Sequence, residues 1–214
     1  MSRFASFLVL FALVFGFLAA PAHAKKSANR IQTTGIRSFD KVFSQVADID
    51  DRVRSARKTR KSGHQQLASA LALPENTSFS EALAELKERG AGKIKLVMDG
   101  ERPTLKATDA LPSDVSAALD AVNQATADYT AALAALEGTP ATLKKLNKQV
   151  AKFPGRFKDE AGAWKLSNAV KRYKQLRKVK QNIEVTQKLP ERTRKLIRGF
   201  RNDLSLVEQT FGQG

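Results

Sequence analysis

The sequence predicts an all-α fold: an elongated antiparallel helical bundle with coiled-coil-like heptad stripes and a small inserted β-hairpin at about 93–107. Three observations predict it. Apolar residues recur at alternating steps of three and four over most of the chain, which lays one stripe along a helix. One short stretch switches instead to β-prone residues around an Asp-Gly pair, a hairpin signal. The chain of 214 residues has no cysteine, so it depends on a hydrophobic core, and the about 190 residues beyond residue 24 suffice for one.

Residues 1–24 read as a secretory signal peptide. Arg3 supplies the basic start, Phe7 to Leu18 the apolar run, and Ala22-His23-Ala24 the small residues of a cleavage site after Ala24. The apolar run is short for a membrane-spanning helix. Lys25 and Lys26 follow the site directly, and positive charge there works against export. A short signal, no cysteine and abundant alanine point to a bacterial periplasmic protein first and a secreted one second; the absent cysteine also excludes a lipoprotein. Residues 25–34 are polar and aperiodic and read as a flexible leader, ahead of one helical domain over 35–212.

Phe39, Val42, Val46, Ile49, Val53 and Ala56 form the first stripe, with Ser38 a candidate N-cap. Ser62-Gly63 is expected to end or bend this helix, Gln65 to Leu73 adding a second piece before Pro74. Ser78 and Glu81 make a capping box for a short helix through Ala82, Leu83 and Leu86 that stops at Gly90. The hairpin follows around Asp99-Gly100, with Pro103 confining its second strand to an edge. A long helix capped by Ser113 carries Val115, Leu119, Val122, Thr126, Tyr129, Leu133 and Leu136, bordered by alanines, to Gly138. Thr139 and Pro140 restart a helix as N-cap and N1, with Leu143, Leu146, Val150 and Phe153 inward and the preceding helix its antiparallel neighbour. Phe153-Pro154-Gly155 reads as a turn, and a basic helix follows with Leu166, Ala169, Tyr173, Leu176 and Ile183 inside. Pro190 kinks or restarts it, and Leu196, Ile197, Phe200, Leu204, Val207 and Phe211 face the core of the final helix. The same face beside Arg192, Arg194, Lys195, Arg198 and Arg201 would also suit a membrane-interfacial helix, the weaker reading.

Chemistry motifs are scarce. His64, the one histidine beyond the leader, reads as solvated in a polar loop, and without cysteine the usual zinc ligands cannot be assembled. Gly90-Ala91-Gly92-Lys93 is a helix stop rather than a phosphate loop, since Lys87 and Ile94 break the pattern. Asp48, Asp50 and Asp51 lack calcium-loop spacing and read as a solvated face beside Arg52 and Arg54. No catalytic, cofactor or metal residue is expected, which makes an enzyme built on carboxylates or lysine the weakest reading.

Charge is the informative feature. Residues 139–201 hold nineteen Lys and Arg against Asp159, Glu160, Glu184 and Glu191, a net of +15. The rest of the chain beyond residue 24 carries seventeen of each sign. Like charges recur at helical spacing, as in Lys171, Lys174 and Lys178 or Arg194, Lys195 and Arg198, where solvated helices usually alternate sign. The expected anion-binding residues are Lys144, Lys145, Lys148, Lys152, Lys165, Lys171, Arg172, Lys174, Arg177, Lys178, Lys180, Arg192, Arg194, Lys195, Arg198 and Arg201. Anionic lipid, lipopolysaccharide, an acidic glycan or an acidic client protein would suit them. Nucleic acid fits less well, because Trp164 and Tyr173 read as packing residues rather than a stacking platform.

In gross character, a basic, exported, cysteine-free chain of heptad-patterned helices is similar to periplasmic holdase chaperones of the Skp type, although no motif carries the likeness. The expectation is a non-enzymatic periplasmic protein that binds an anionic envelope component or client. The alternative is a scaffold whose heptad stripes self-associate as a homo-oligomer or pair with another envelope protein.

Overall fold

The computed structural model describes residues 30–162 and 166–212. The expected signal peptide and most of the leader lie outside these residues, as do Trp164, Lys165 and the side chain of Leu166. The chain is mostly helical with one two-stranded antiparallel sheet. In order come α1 (Arg37–Ala70), α2 (Phe79–Arg89), β1 (Ile94–Asp99), β2 (Arg102–Ala107), α3 (Ser113–Leu136), α4 (Thr139–Val150), α5 (Phe153–Ala161), a 3₁₀ turn (Leu166–Asn168) and α6 (Ala169–Phe211).

α1 buries Phe39, Phe43, Val46, Ile49, Val53 and Ala56, close to the expected stripe, and it starts at Ile36 without a side-chain cap. Asp40, in the first turn, ties the preceding segment to the helix instead: its carboxylate accepts from the Thr34 and Gly35 amides at 2.7 and 2.9 Å. The Ser38 hydroxyl donates instead to Glu160 at 2.6 Å. The expected break at Ser62-Gly63 does not occur; α1 runs on to Ala70. Gly63 is there for contact, since a Cβ at that position would stand 2.3 Å from the Tyr129 hydroxyl of α3. His64 is therefore helical and half-buried, not a solvated loop residue. Asp50 also departs from the solvated reading, being buried and paired with Arg54 Nε at 2.7 Å.

The capping box at Ser78 and Glu81 and the stop at Gly90 form as expected. In the hairpin Asp99 pairs with Arg102, which makes Gly100 and Glu101 the central turn residues, one position on from the Asp-Gly pair. Gly100 has φ +64°, the left-handed region that a two-residue turn requires. Asn123 of α3 holds β2 in place: its Oδ1 accepts from Leu105 N at 2.7 Å and its Nδ2 donates to Leu105 O at 2.9 Å.

α3 buries the expected stripe apart from half-buried Leu133, but Ser113 is its first residue rather than its cap. The next start is likewise shifted by one: Gly138, at φ +71°, precedes Thr139, whose side chain is buried instead of capping. α4 does not lie along α3 as an antiparallel neighbour; it packs on α1 and α6. Phe153-Pro154-Gly155 is the first turn of α5 rather than a loop, because proline is tolerated there and a helix brings Phe153 and Phe157 onto one face. The Phe153 ring stacks on Phe39 at 4.0 Å and meets Phe43 edge-on at 5.3 Å, joining α5 to the start of α1.

α6 touches every other element. Its 43 residues pass through Pro190 in one helix, where a kink or a restart was expected, so the helix does not restart. Its buried seam is Gln175, Val179, Asn182, Thr186, Leu189, Thr193, Leu196, Phe200, Asp203 and Val207, alternating steps of four and three. The first half of that seam differs from the expected one. Tyr173 points to solvent at 64 % exposure, and Leu176 and Ile183 are only half-buried. Asn182 repeats the Asn123 device, accepting from Gln32 N at 2.9 Å and donating to Gln32 O at 2.7 Å. Residues 31–34, expected to be leader, are thereby tied along α6. The last helical face is core, with Phe200, Leu204, Val207 and Phe211 buried against α1, α2 and α3 residues.

Candidate anion-binding surface

Apart from Lys152, which joins α4 to α5, the described cations of 139–201 lie on α4, α5 and α6, whose inner faces are fixed by Leu143, Leu146 and Val150, by Phe153 and Phe157, and by the α6 seam. That placement turns the Lys and Arg outward. Of the expected residues that are described, Lys144, Lys145, Lys148, Lys152, Lys171, Lys174, Arg177, Lys180, Arg192, Arg194, Lys195, Arg198 and Arg201 are exposed, and Arg172 and Lys178 are half-buried.

Two grooves gather part of this set. One, of about 370 Å³, brings Lys144 and Lys148 of α4 together with Arg194 of α6, floored by Asn147, Ala151 and Pro190. These cations are some fifty residues apart in sequence, so only the α4–α6 packing makes them one site. The other groove, of about 760 Å³, is lined by Lys171, Lys174 and Lys178 of α6 and by Thr33 to Gly35. Lys178 Nζ donates to Thr33 O at 2.9 Å, and Arg172 donates to Gln175 Oε1 at 3.0 Å, so these two cations also hold structure. Arg201 stands apart, in a groove with Glu101, Glu137 and Glu208.

Neutralisation within the stretch is slight. Among the described residues its ion pairs are Arg156 with Glu160, and Lys195 and Arg198 with Glu191 at 3.7 and 3.8 Å. Hydrogen bonds from Ser38 and then Arg156 hold the Glu160 carboxyl below its usual range, so it stays ionised. Exposed pairs of this kind are weak and leave the field of the remaining cations largely intact.

A second polar cluster is absent from the sequence reading. Asp203 of the α6 seam, 1 % exposed, accepts from Arg60 Nε and Nη2 at 2.7 and 2.8 Å and lies 2.7 Å from His64 Nε2. Burial pushes the Asp203 carboxyl up, but the bonds from His64 and Arg60 outweigh it and hold it below the ordinary value of 3.8. His64 stacks on Phe79 at 4.7 Å, and Tyr129 donates to Arg60 O at 3.1 Å. Burial is also the main cause raising the Tyr129 phenol, which keeps it a neutral donor. The cluster ties α1 to α6 beside α3, with the Asp203 carboxylate held by two side chains of α1, as in a structural clasp. Its sequence signal is an Asp on a 3.5-residue seam, facing an Arg and a His one turn apart.

Among the described residues no His, Cys, Asp and Glu cluster is placed to hold a metal ion, and no helix is long and apolar enough to cross a membrane. Compared with family models, curated proteins and solved structures, the chain matches none of them.

Proposed function

We propose that this chain is a non-enzymatic, exported, periplasmic helical protein that binds an anionic envelope component or client through the basic faces of α4 and α6. In this reading the helices form one elongated bundle with coiled-coil-like seams, and the bundle serves as a rigid frame for the cations. One observation carries the proposal. The whole charge excess of the chain beyond residue 24 falls within residues 139–201, and sixteen of its described cations are exposed with few acidic neighbours. A solvated helix face has no need of such asymmetry, and like charges at helical spacing cost stability.

The test is co-sedimentation or titration of the purified chain against anionic vesicles, lipopolysaccharide and poly-glutamate across a salt series. At least one probe is expected to bind at low ionic strength and to release as salt shortens the screening length from about 10 Å at 0.1 M to about 3 Å at 1 M. Absence of binding to every probe at low salt, or binding indifferent to salt, would sink the proposal.

A further inference from the structure

The first turns of α6 present an unusual combination. Val170 and Tyr173 are 69 % and 64 % exposed, the most exposed large apolar side chains of the described chain. With Lys174 and Arg177 they fall at i, i+3, i+4 and i+7, and so share the face opposite the buried Gln175, Val179 and Asn182. Lys171 and Lys178 flank this face, and between residues 161 and 183 the sequence contains no acidic residue. Tyr173 fits neither the fold, which leaves it in water, nor simple solubility, which another polar residue would serve.

We infer that this face docks onto the surface of an anionic lipid bilayer. Val170 and the Tyr173 ring enter the headgroup region while Lys171, Lys174, Arg177 and Lys178 meet lipid phosphates. The inference rests on the proposed anion binding and narrows it to one partner. Charge complementarity alone would be met by any polyanion. A bilayer adds an apolar layer just beneath its anionic one, which is what an exposed tyrosine with an adjacent valine can use. The cations attract the protein to the surface, and the two side chains hold it against salt. The groove of Lys171, Lys174 and Lys178 against Thr33 to Gly35 gives a phosphate a seat beside them.

The experiment compares the full chain with a Val170→Ser/Tyr173→Ser double variant, which changes no charge and alters only exposed side chains. Binding is measured to vesicles of phosphatidylglycerol in phosphatidylcholine, to phosphatidylcholine alone, and to poly-glutamate and lipopolysaccharide, with circular dichroism as the check on folding. The parent is expected to bind the anionic vesicles and not the zwitterionic ones. The folded double variant should lose about tenfold in vesicle affinity, as loss of partly buried apolar contacts implies, while keeping its poly-glutamate binding. Equal vesicle binding by the two proteins overturns the inference and leaves the broader proposal standing. So does a parent that binds poly-glutamate or lipopolysaccharide but not the vesicles. A parent that binds no anionic probe overturns both.

Discussion

Two asparagines perform the same task at distant places. Asn123 and Asn182 each use both ends of the amide to pair with one residue's N–H and C=O, Leu105 in the hairpin and Gln32 in the N-terminal segment. A side chain thus stands in for a neighbouring strand and satisfies backbone groups that would otherwise be buried without partners. Asn123→Ala should cost about 1–3 kcal/mol, because both Leu105 groups lose their partner. Urea unfolding measures the loss, and hydrogen exchange should show faster exchange at the Leu105 amide. Asp203 makes a different residue-scale prediction. Its folded pKa is depressed, so its stabilising contribution is full above the ordinary 3.8 and is lost as pH falls through the lower folded value. The urea midpoint of the parent should therefore drop below about pH 4. In Asp203→Asn it should be lower at neutral pH and less sensitive to that acid range.

At the scale of elements, the meeting of α1 and α3 depends on a missing side chain. Propensity alone predicts that Gly63→Ala in a helix interior stabilises by about 1 kcal/mol. The added Cβ would collide with Tyr129, whose hydroxyl is held on Arg60 O and whose ring is fully buried. The expected outcome is the opposite sign, a loss of about 1–3 kcal/mol by thermal or urea unfolding. A stabilised variant would show that Tyr129 can move aside. The same geometry explains why a Ser-Gly pair that looks like a helix end does not end the helix.

At the scale of the molecule, α6 is both the spine of the fold and the carrier of most of the charge. Its seam is committed inward, so its cations have only the outer face. Charge reversal of the α4–α6 groove, as Lys144→Glu/Lys148→Glu/Arg194→Glu, should leave the helical circular dichroism unchanged and weaken binding to an anionic probe by tenfold or more at low salt. The difference should shrink as salt rises. A variant that binds as the parent does would place the anion contact elsewhere on the basic face.

The sequence by itself determined the helical class, the α1 and α3 stripes, the capping box, the hairpin and the segregation of charge. Each rests on local spacing or on the chemistry of adjacent residues, which folding does not alter. Only the tertiary structure decided the inner face of α6. Gln175, Asn182, Thr186, Thr193 and Asp203 occupy that seam, and polar residues are read as outward unless their partners are known. Two of those partners arrive from far along the chain, Gln32 at a separation of 150 and Arg60 at 143, while Thr186 and Thr193 satisfy themselves on the carbonyls four residues back. With the seam rotated to those positions, Tyr173 turned outward among the lysines. Hydrogen bonding satisfied at long range thus set which way the charged spine faces.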